Sequence, residues 1–233
     1  GSGTLQNVKK IFDLGGAADL LAVKDVSFSF TGGQVISLLG PSGCGKTTVL
    51  KMIGGLVKAT SGEIMVSNSL VNGPYENVGM VFQTPTLMPW RSVLSNIKFP
   101  LEVLDKKLHG IEEKAASLLD LTNLTEFNNA WPHELSGGMQ QRVALCRALI
   151  HSPEILLMDE PFGALDELTR MEMNDLLLKI KYQEKNTVIF VTHSISEAIY
   201  LSDTVHIFSK RPAEIKKTIT IDLPHPRKPT DRY

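Results

Sequence analysis

Gly40-Pro41-Ser42-Gly43-Cys44-Gly45-Lys46-Thr47, continued by Thr48, follows the phosphate-loop pattern Gly-x-x-x-x-Gly-Lys-Ser/Thr. The flanks agree with it. Val35-Ile36-Ser37-Leu38-Leu39 is a short apolar run of the kind that forms a buried parallel strand. Thr48-Val49-Leu50-Lys51-Met52-Ile53 predicts the first turns of a helix. Strand, glycine loop and helix together suit a triphosphate. Glycines let the backbone approach phosphate and turn its N–H groups inward, and the helix N-terminus adds partial positive charge. Lys46 is then placed to reach the β- and γ-phosphates, and Thr47 to offer its hydroxyl to Mg²⁺.

The rest of the composition narrows the setting. The 233 residues, 42% hydrophobic, support one sizeable core with a subsidiary lobe. A net charge of −1 gives no basic balance that would point to nucleic acid. No apolar run approaches the roughly 18 residues of a membrane span. Gly1-Ser2-Gly3 reads as a cloning remnant, and nothing resembles a secretory signal. Cys44 and Cys146 lie far apart and read as small residues in a reducing compartment. These features describe a soluble, cytosolic nucleotide-binding domain.

Upstream of the loop, residues 4 to 34 read as β-rich. Val26-Ser27-Phe28-Ser29-Phe30 alternates with period two, and Thr31-Gly32-Gly33 turns into the central strand. Phe12 suits either a purine-stacking face or the core, the core being favoured by sequence alone. Downstream, Glu63–Val66 and Val78–Phe82 predict strands, the second ending at Gln83, whose amide oxygen suits a metal or a water. Pro85-Thr86-Leu87-Met88-Pro89-Trp90 is either a tucked apolar loop or, if exposed, a partner surface. Residues 91 to 151 look mostly helical, with a short helix at Val93–Phe99. A second, at 110–121, is amphipathic through Ile111, Ala115, Leu118 and Leu119.

Leu135-Ser136-Gly137-Gly138-Met139-Gln140-Gln141 opens another helix, with Ser136 as N-cap. Two glycines in a first turn cost about 1 kcal/mol each against alanine, which is tolerated where a backbone must approach something, an anion being the obvious candidate. Ile155-Leu156-Leu157-Met158 is a second buried strand ending in Asp159-Glu160-Pro161. Asp159 is placed for Mg²⁺ and Glu160 for polarising water, and alternation along a strand points the two carboxylates to opposite sides. Residues 167 to 184 predict a helix with Leu168, Met171, Leu176, Leu177 and Ile180 as its apolar set. Thr187–Val191 is a third buried strand, capped by Thr192-His193. That places His193 at the strand edge where ligands sit in open α/β sheets. Ile195–Leu201 predicts a helix, and Thr204–Phe208 and Ile215–Ile221 the last strands. The tail Pro224–Pro229 reads as extended and loosely held.

Taken in order, these residues resemble the ATP-binding cassette (ABC) ATPases over almost the whole chain. Walker A is Gly40–Thr48, the Q-loop residue Gln83, the signature Leu135–Gln140 and Walker B Ile155–Asp159. The catalytic Glu160, the D-loop Ala164-Leu165-Asp166 and the switch His193 follow. The resemblance implies an α/β fold with a phosphate-loop (RecA-like) core, an N-terminal antiparallel β subdomain and an inserted α-helical signature subdomain. It implies one cassette, with residues 1–83 and 152–222 as core and β subdomain, 84–151 as helical subdomain and 223–233 as extended tail.

It also implies ATP hydrolysis with Mg²⁺, by Glu160, His193 and Lys46. Phe12 and the loop residues Gly40, Pro41, Ser42, Gly43, Cys44, Gly45, Lys46, Thr47 and Thr48, with Gln83, hold ATP, and Thr47, Gln83 and Asp159 serve the metal. Two copies, or this chain and a paralogous cassette, meet head to tail. Ser136, Gly137, Gly138 and Gln140 then act on the partner's ATP, and Asp166 makes contacts between copies.

Met-Gln-Gln-Arg after the signature glycines and Ser-Glu-Ala after His193 resemble bacterial importers. Leu87–Asn96 and Ser209-Lys210-Arg211-Pro212 resemble the nitrate, sulfonate and taurine group in particular. The resemblance therefore implies a peripheral subunit on the cytoplasmic face of the inner membrane, touching permease subunits through Leu87–Trp90. A periplasmic or extracellular substrate-binding protein would act indirectly, and nucleic acid would play no part. An exporter or lipid-transport ATPase, or a non-transport ABC ATPase, is the alternative.

Overall fold

The computed structural model describes residues 1–16, 18–228 and 230. In chain order the elements are β1 (Gly3–Phe12), β2 (Leu20–Phe30), β3 (Val35–Leu39), α1 (Lys46–Ile53), β4 (Ser61–Val66), β5 (Ser69–Leu70), β6 (Val78–Val81), α2 (Val93–Val103), α3 (Ile111–Leu121), α4 (Gly137–Leu149), β7 (Ile155–Asp159), α5 (Glu167–Glu184), β8 (Thr187–Thr192), α6 (Ile195–Leu201), β9 (Thr204–Phe208) and β10 (Ala213–Thr220). They divide into two compact units. The first holds Gly1–Tyr75, Leu157–Asp159 and the chain from Asn186 onward, and the second Glu76–Leu156 and Glu160–Lys185.

In the first unit the sheet runs β5-β4-β1-β2-β10-β9-β3-β8-β7. β3 is buried at all five positions and β8 at all six, which is why both read as unbroken apolar runs. β3 pairs in parallel with β8 and β9. The amino-terminal strands are antiparallel, β1 lying between β2 and β4. β2 keeps the period-two pattern its sequence predicts, burying Val26, Phe28 and Phe30 on one face. Gly3 belongs to this sheet: it stands opposite Phe30, and a Cβ there would fall 2.4 Å from the Phe30 ring. β4 and β5 close through Ser67 and Asn68, both at positive φ, as a two-residue hairpin demands.

His206 of β9 is buried. Its Nδ1 lies 2.8 Å from the Thr218 hydroxyl, its ring centroid 4.6 Å from that of Phe28, and burial pushes its pKa down to about 4. The folded state thus keeps the ring neutral where the unfolded chain takes up a proton. Stability is unaffected above the unfolded pKa near 6.5 and falls as pH drops toward 4. His206→Phe should remove roughly 2–3 kcal/mol of the wild-type loss between about pH 7 and 4.5, read from urea midpoints. Parallel curves for the two proteins would contradict this assignment.

The tail departs from its expected looseness. Arg227 is buried, and its guanidinium donates to the carbonyls of Ile199 (2.9 Å), Tyr200 (3.1 Å), Ser202 (3.1 Å) and Leu223 (3.2 Å). A cation fits there because the last carbonyls of α6 lack helical partners and carry partial negative charge. His225 meets Asp203 at 2.7 Å. Pro229 and residues 231–233 of the expected tail lie outside the described residues.

In the second unit Ile155 donates to the Asn77 carbonyl beside β6, and α2, α3 and α4 pack together. α4 approaches β6 closely because Gly79 has no side chain: a Cβ would stand 2.3 Å from the Ala148 carbonyl. α2 runs past the predicted end at Phe99 and through Pro100 to Val103. Burial of Val93, Ile97 and Leu101 along one face offsets the donor that Pro100 lacks. α3 buries Ala115, Leu118 and Leu119 as its pattern predicts. α5 buries Met173, Leu177, Leu178 and Ile180, but Leu168, expected in the apolar set, is 73% exposed. Both cysteines are free and buried, and burial raises the Cys146 thiol to about 12.

Candidate functional site

The glycine loop joins the end of β3 to the start of α1. Gly45 takes φ 106°, and a Cβ on it would fall 2.6 Å from the Ala22 carbonyl, so only glycine fits. Gly43 also has positive φ, 75°, but nothing lies within 4 Å of where its Cβ would stand, leaving that face of the loop open. Pro41, Ser42 and Gly43 are exposed, while Cys44 is buried with its sulfur toward Gly40. Lys46 is 3% exposed, and its ammonium donates to the loop carbonyls of Gly40 and, at 3.1 Å, Pro41. The cation is therefore held over the loop backbone, where a phosphate oxygen would replace carbonyl oxygens as its acceptor.

The Thr47 hydroxyl donates to Asp159 Oδ1 at 3.0 Å. This contact joins the first turn of α1 to the C-terminal end of β7. A hydroxyl and a carboxylate so placed are the hard oxygen donors that Mg²⁺ prefers when phosphate and water complete its shell. No cluster of three acidic, histidine or cysteine residues that could hold a metal occurs among the described residues. Thr48 is partly buried on α1. His193 is exposed just past β8, and the register opposes Leu39 to Thr192, so His193 follows β8 at the same sheet edge at which Gly40 follows β3. Around it, the Thr192 hydroxyl donates to Glu197 at 2.6 Å and accepts the Ser194 amide at 3.0 Å. Phe12 ends β1, partly exposed rather than in the core, with the Lys10 ammonium 5.0 Å from its ring centre.

The second unit carries the other expected residues. Glu160 has φ 43°, a left-handed conformation unusual for glutamate, and its carbonyl accepts the Gly163 amide at 3.1 Å. Glu160 thus stands in a turn just past β7, outside the strand whose alternation the sequence reading extended to it. Ser136 caps α4, accepting the Met139 amide at 3.2 Å, and Ser136 and Gly137 are exposed. Gly138 has a reason within the chain: a Cβ would press 2.9 Å from Thr169 of α5. The Gln140 amide donates to Pro132 at 3.0 Å. Asp166 caps α5, accepting the Thr169 amide (3.0 Å) and hydroxyl (2.7 Å), bonds that hold its carboxyl below the usual range. Gln83 is exposed just past β6.

Three polar residues that sequence reasoning left unassigned organise this unit. Gln141, 2% exposed, donates through Nε2 to Phe82 and Gln83 at 2.9 Å each and to Pro161. Asn96 holds the Trp90 loop, accepting the Met88 amide at 2.9 Å and donating to the carbonyls of Met88, Arg91 and Ser92. Arg147 donates to Pro85 at 2.7 Å and Thr86 at 3.2 Å. Between these anchors Trp90 stands 71% exposed.

Comparison with known proteins agrees with this geometry. The ABC transporter family profile matches residues 23–163. An uncharacterized ABC transporter ATP-binding protein of Methanocaldococcus jannaschii is 45% identical over 96% of this chain and 83% of its own length. The aliphatic sulfonates import ATP-binding protein SsuB of Bacillus cereus is 43% identical over 89% of this chain and 82% of its own. Among solved structures, the dimeric ATP-binding cassette MJ0796, in a post-hydrolysis state bound to ADP and Pi, superposes with a TM-score of 0.82. It shares 33% identity over 95% of this chain and 99% of its own. With its phosphate loop, its Thr47–Asp159 pair and its capped signature helix, the chain belongs to the ABC transporter family, as an ATP-binding cassette ATPase.

Proposed function

We propose that this cassette works as a head-to-tail pair and powers import of an aliphatic sulfonate or a similar small anion through a membrane ABC transporter. Its identity to SsuB supports the substrate class. The observation that carries the partner assignment is Trp90, exposed on a loop pinned at one end by Arg147 and at the other by Asn96. An indole presented to solvent from a fixed loop is suited to receive an apolar helix of a permease. No helix among the described residues is long and apolar enough to cross a membrane.

In this reading Lys46 and the N–H groups of Gly43–Thr47 bind and orient the β- and γ-phosphates, with Phe12 against the base. Thr47 and Asp159 would hold Mg²⁺, which when bound neutralises developing phosphate charge. Glu160 takes the proton of the attacking water, and His193 orients that water and the γ-phosphate. Gln83 reads the metal's occupancy, Ser136, Gly137, Gly138 and Gln140 reach the partner's nucleotide, and Asp166 steadies the contact between copies.

Deleting the gene should abolish growth on an aliphatic sulfonate as sole sulfur source, and the wild-type gene should restore it. A Trp90→Ala copy should restore less than about a tenth of sulfonate uptake while the purified variant hydrolyses ATP within about twofold of wild type. Undiminished growth of the deletion strain would sink the substrate class. Full uptake by Trp90→Ala would sink the docking role.

A further inference from the structure

We propose that Gln141 is a positioning residue for ATP hydrolysis, tying the signature helix α4 to the backbone on which Gln83 and Glu160 depend. The proposal rests on the ATPase mechanism above. Phe82 and Gln83 lie just past β6, and Pro161 just past β7. Strand ladders have ended there, so the carbonyls need other donors. One buried amide supplies all three, at 2.9 Å to Phe82, 2.9 Å to Gln83 and within hydrogen-bond reach of Pro161. The three acceptors also fix which way the amide faces, since an oxygen in that place would meet only oxygens. Its own Oε1 is buried and finds no partner among the described residues. The side chain is thus held for its donors alone.

Two hydrogens shared among three carbonyls make the clamp sensitive to small movements of either loop. Pro161 directly follows Glu160, whose left-handed φ of 43° needs support from its surroundings. Gln83 carries its own side chain from the clamped residue. α4 begins at exposed Ser136, carries Gln141 in its second turn, and reaches the Trp90 loop through Arg147 further along. Engagement of Ser136 by a partner copy, or of Trp90 by a permease, would therefore shift the same helix that sets Gln83 and Glu160.

The test compares Gln141→Met, which matches the length without donors, and Gln141→Glu, which sets a carboxylate against three carbonyls. Steady-state kcat and KM for ATP are read with the thermal midpoint, beside wild type and Lys46→Ala. Both variants should fold and keep KM within about threefold, with kcat down at least about tenfold for Met and further for Glu. Unchanged kcat in a folded variant, beside a wild type that turns over ATP, overturns this inference alone. Failure of both variants to fold, or a KM rising in step with the falling kcat, also overturns it and leaves Gln141 a structural clamp. A wild type no faster than Lys46→Ala overturns the ATPase mechanism and this inference with it.

Discussion

Lys46→Ala should lower ATP turnover by at least about 10³-fold, roughly 4 kcal/mol of transition-state stabilisation. It should also weaken ATP binding by about 10- to 100-fold, measured by titration calorimetry beside a phosphate-release assay. The size follows from where the ammonium sits. It is 3% exposed and held against the carbonyls of Gly40 and Pro41, so it meets phosphate with little water left to screen it. Gly45 beside it leaves no room for a side chain, and the first turn of α1 adds only backbone N–H groups and hydroxyls. A variant that turns over ATP within tenfold of wild type would remove Lys46 from the site.

Glu160→Gln should lower turnover by about 10²- to 10³-fold, within the range for losing a general base, and leave ATP affinity within about threefold. Glutamine keeps the size and the turn but cannot take a proton from water. The φ of 43° is a cost of about 1–3 kcal/mol that glutamate bears at this position. Strain of that kind is tolerated where a side chain must be aimed, and the following Pro161 and the Glu160–Gly163 hydrogen bond hold it there. Affinity lost in parallel with turnover would mean that Glu160 binds nucleotide instead of acting on water.

The sheet core was legible because its strands are buried on both faces. β3, β7 and β8 read as apolar runs, and their C-terminal ends carry Gly40, Asp159 and His193, as an open α/β sheet requires. The glycine loop and the Ser136 cap were legible for a local reason, since φ and capping are set within a few residues. What escaped was bonding from side chain to main chain. Gln141, Asn96, Arg147 and Arg227 each spend a side chain on main-chain carbonyls, and such contacts leave no periodic trace. Leu168 was misplaced because it lies in the first turn of α5, ahead of the buried Met173–Leu177–Ile180 face. The helix at Val93 was read only to Phe99 because the burial that carries α2 on through Pro100 leaves no trace in the sequence.

The pairing of two copies across the nucleotide is tested most directly by Ser136→Asp in the Glu160→Gln background, followed by light scattering with and without Mg-ATP. Aspartate caps a helix as well as serine does, so α4 should keep its first turn. Its charge, however, would oppose a γ-phosphate presented by the partner copy. Glu160→Gln alone should become a dimer when Mg-ATP is added. The double variant should bind the same ATP and remain a monomer. A double variant that dimerises as readily as the single one would contradict the head-to-tail site.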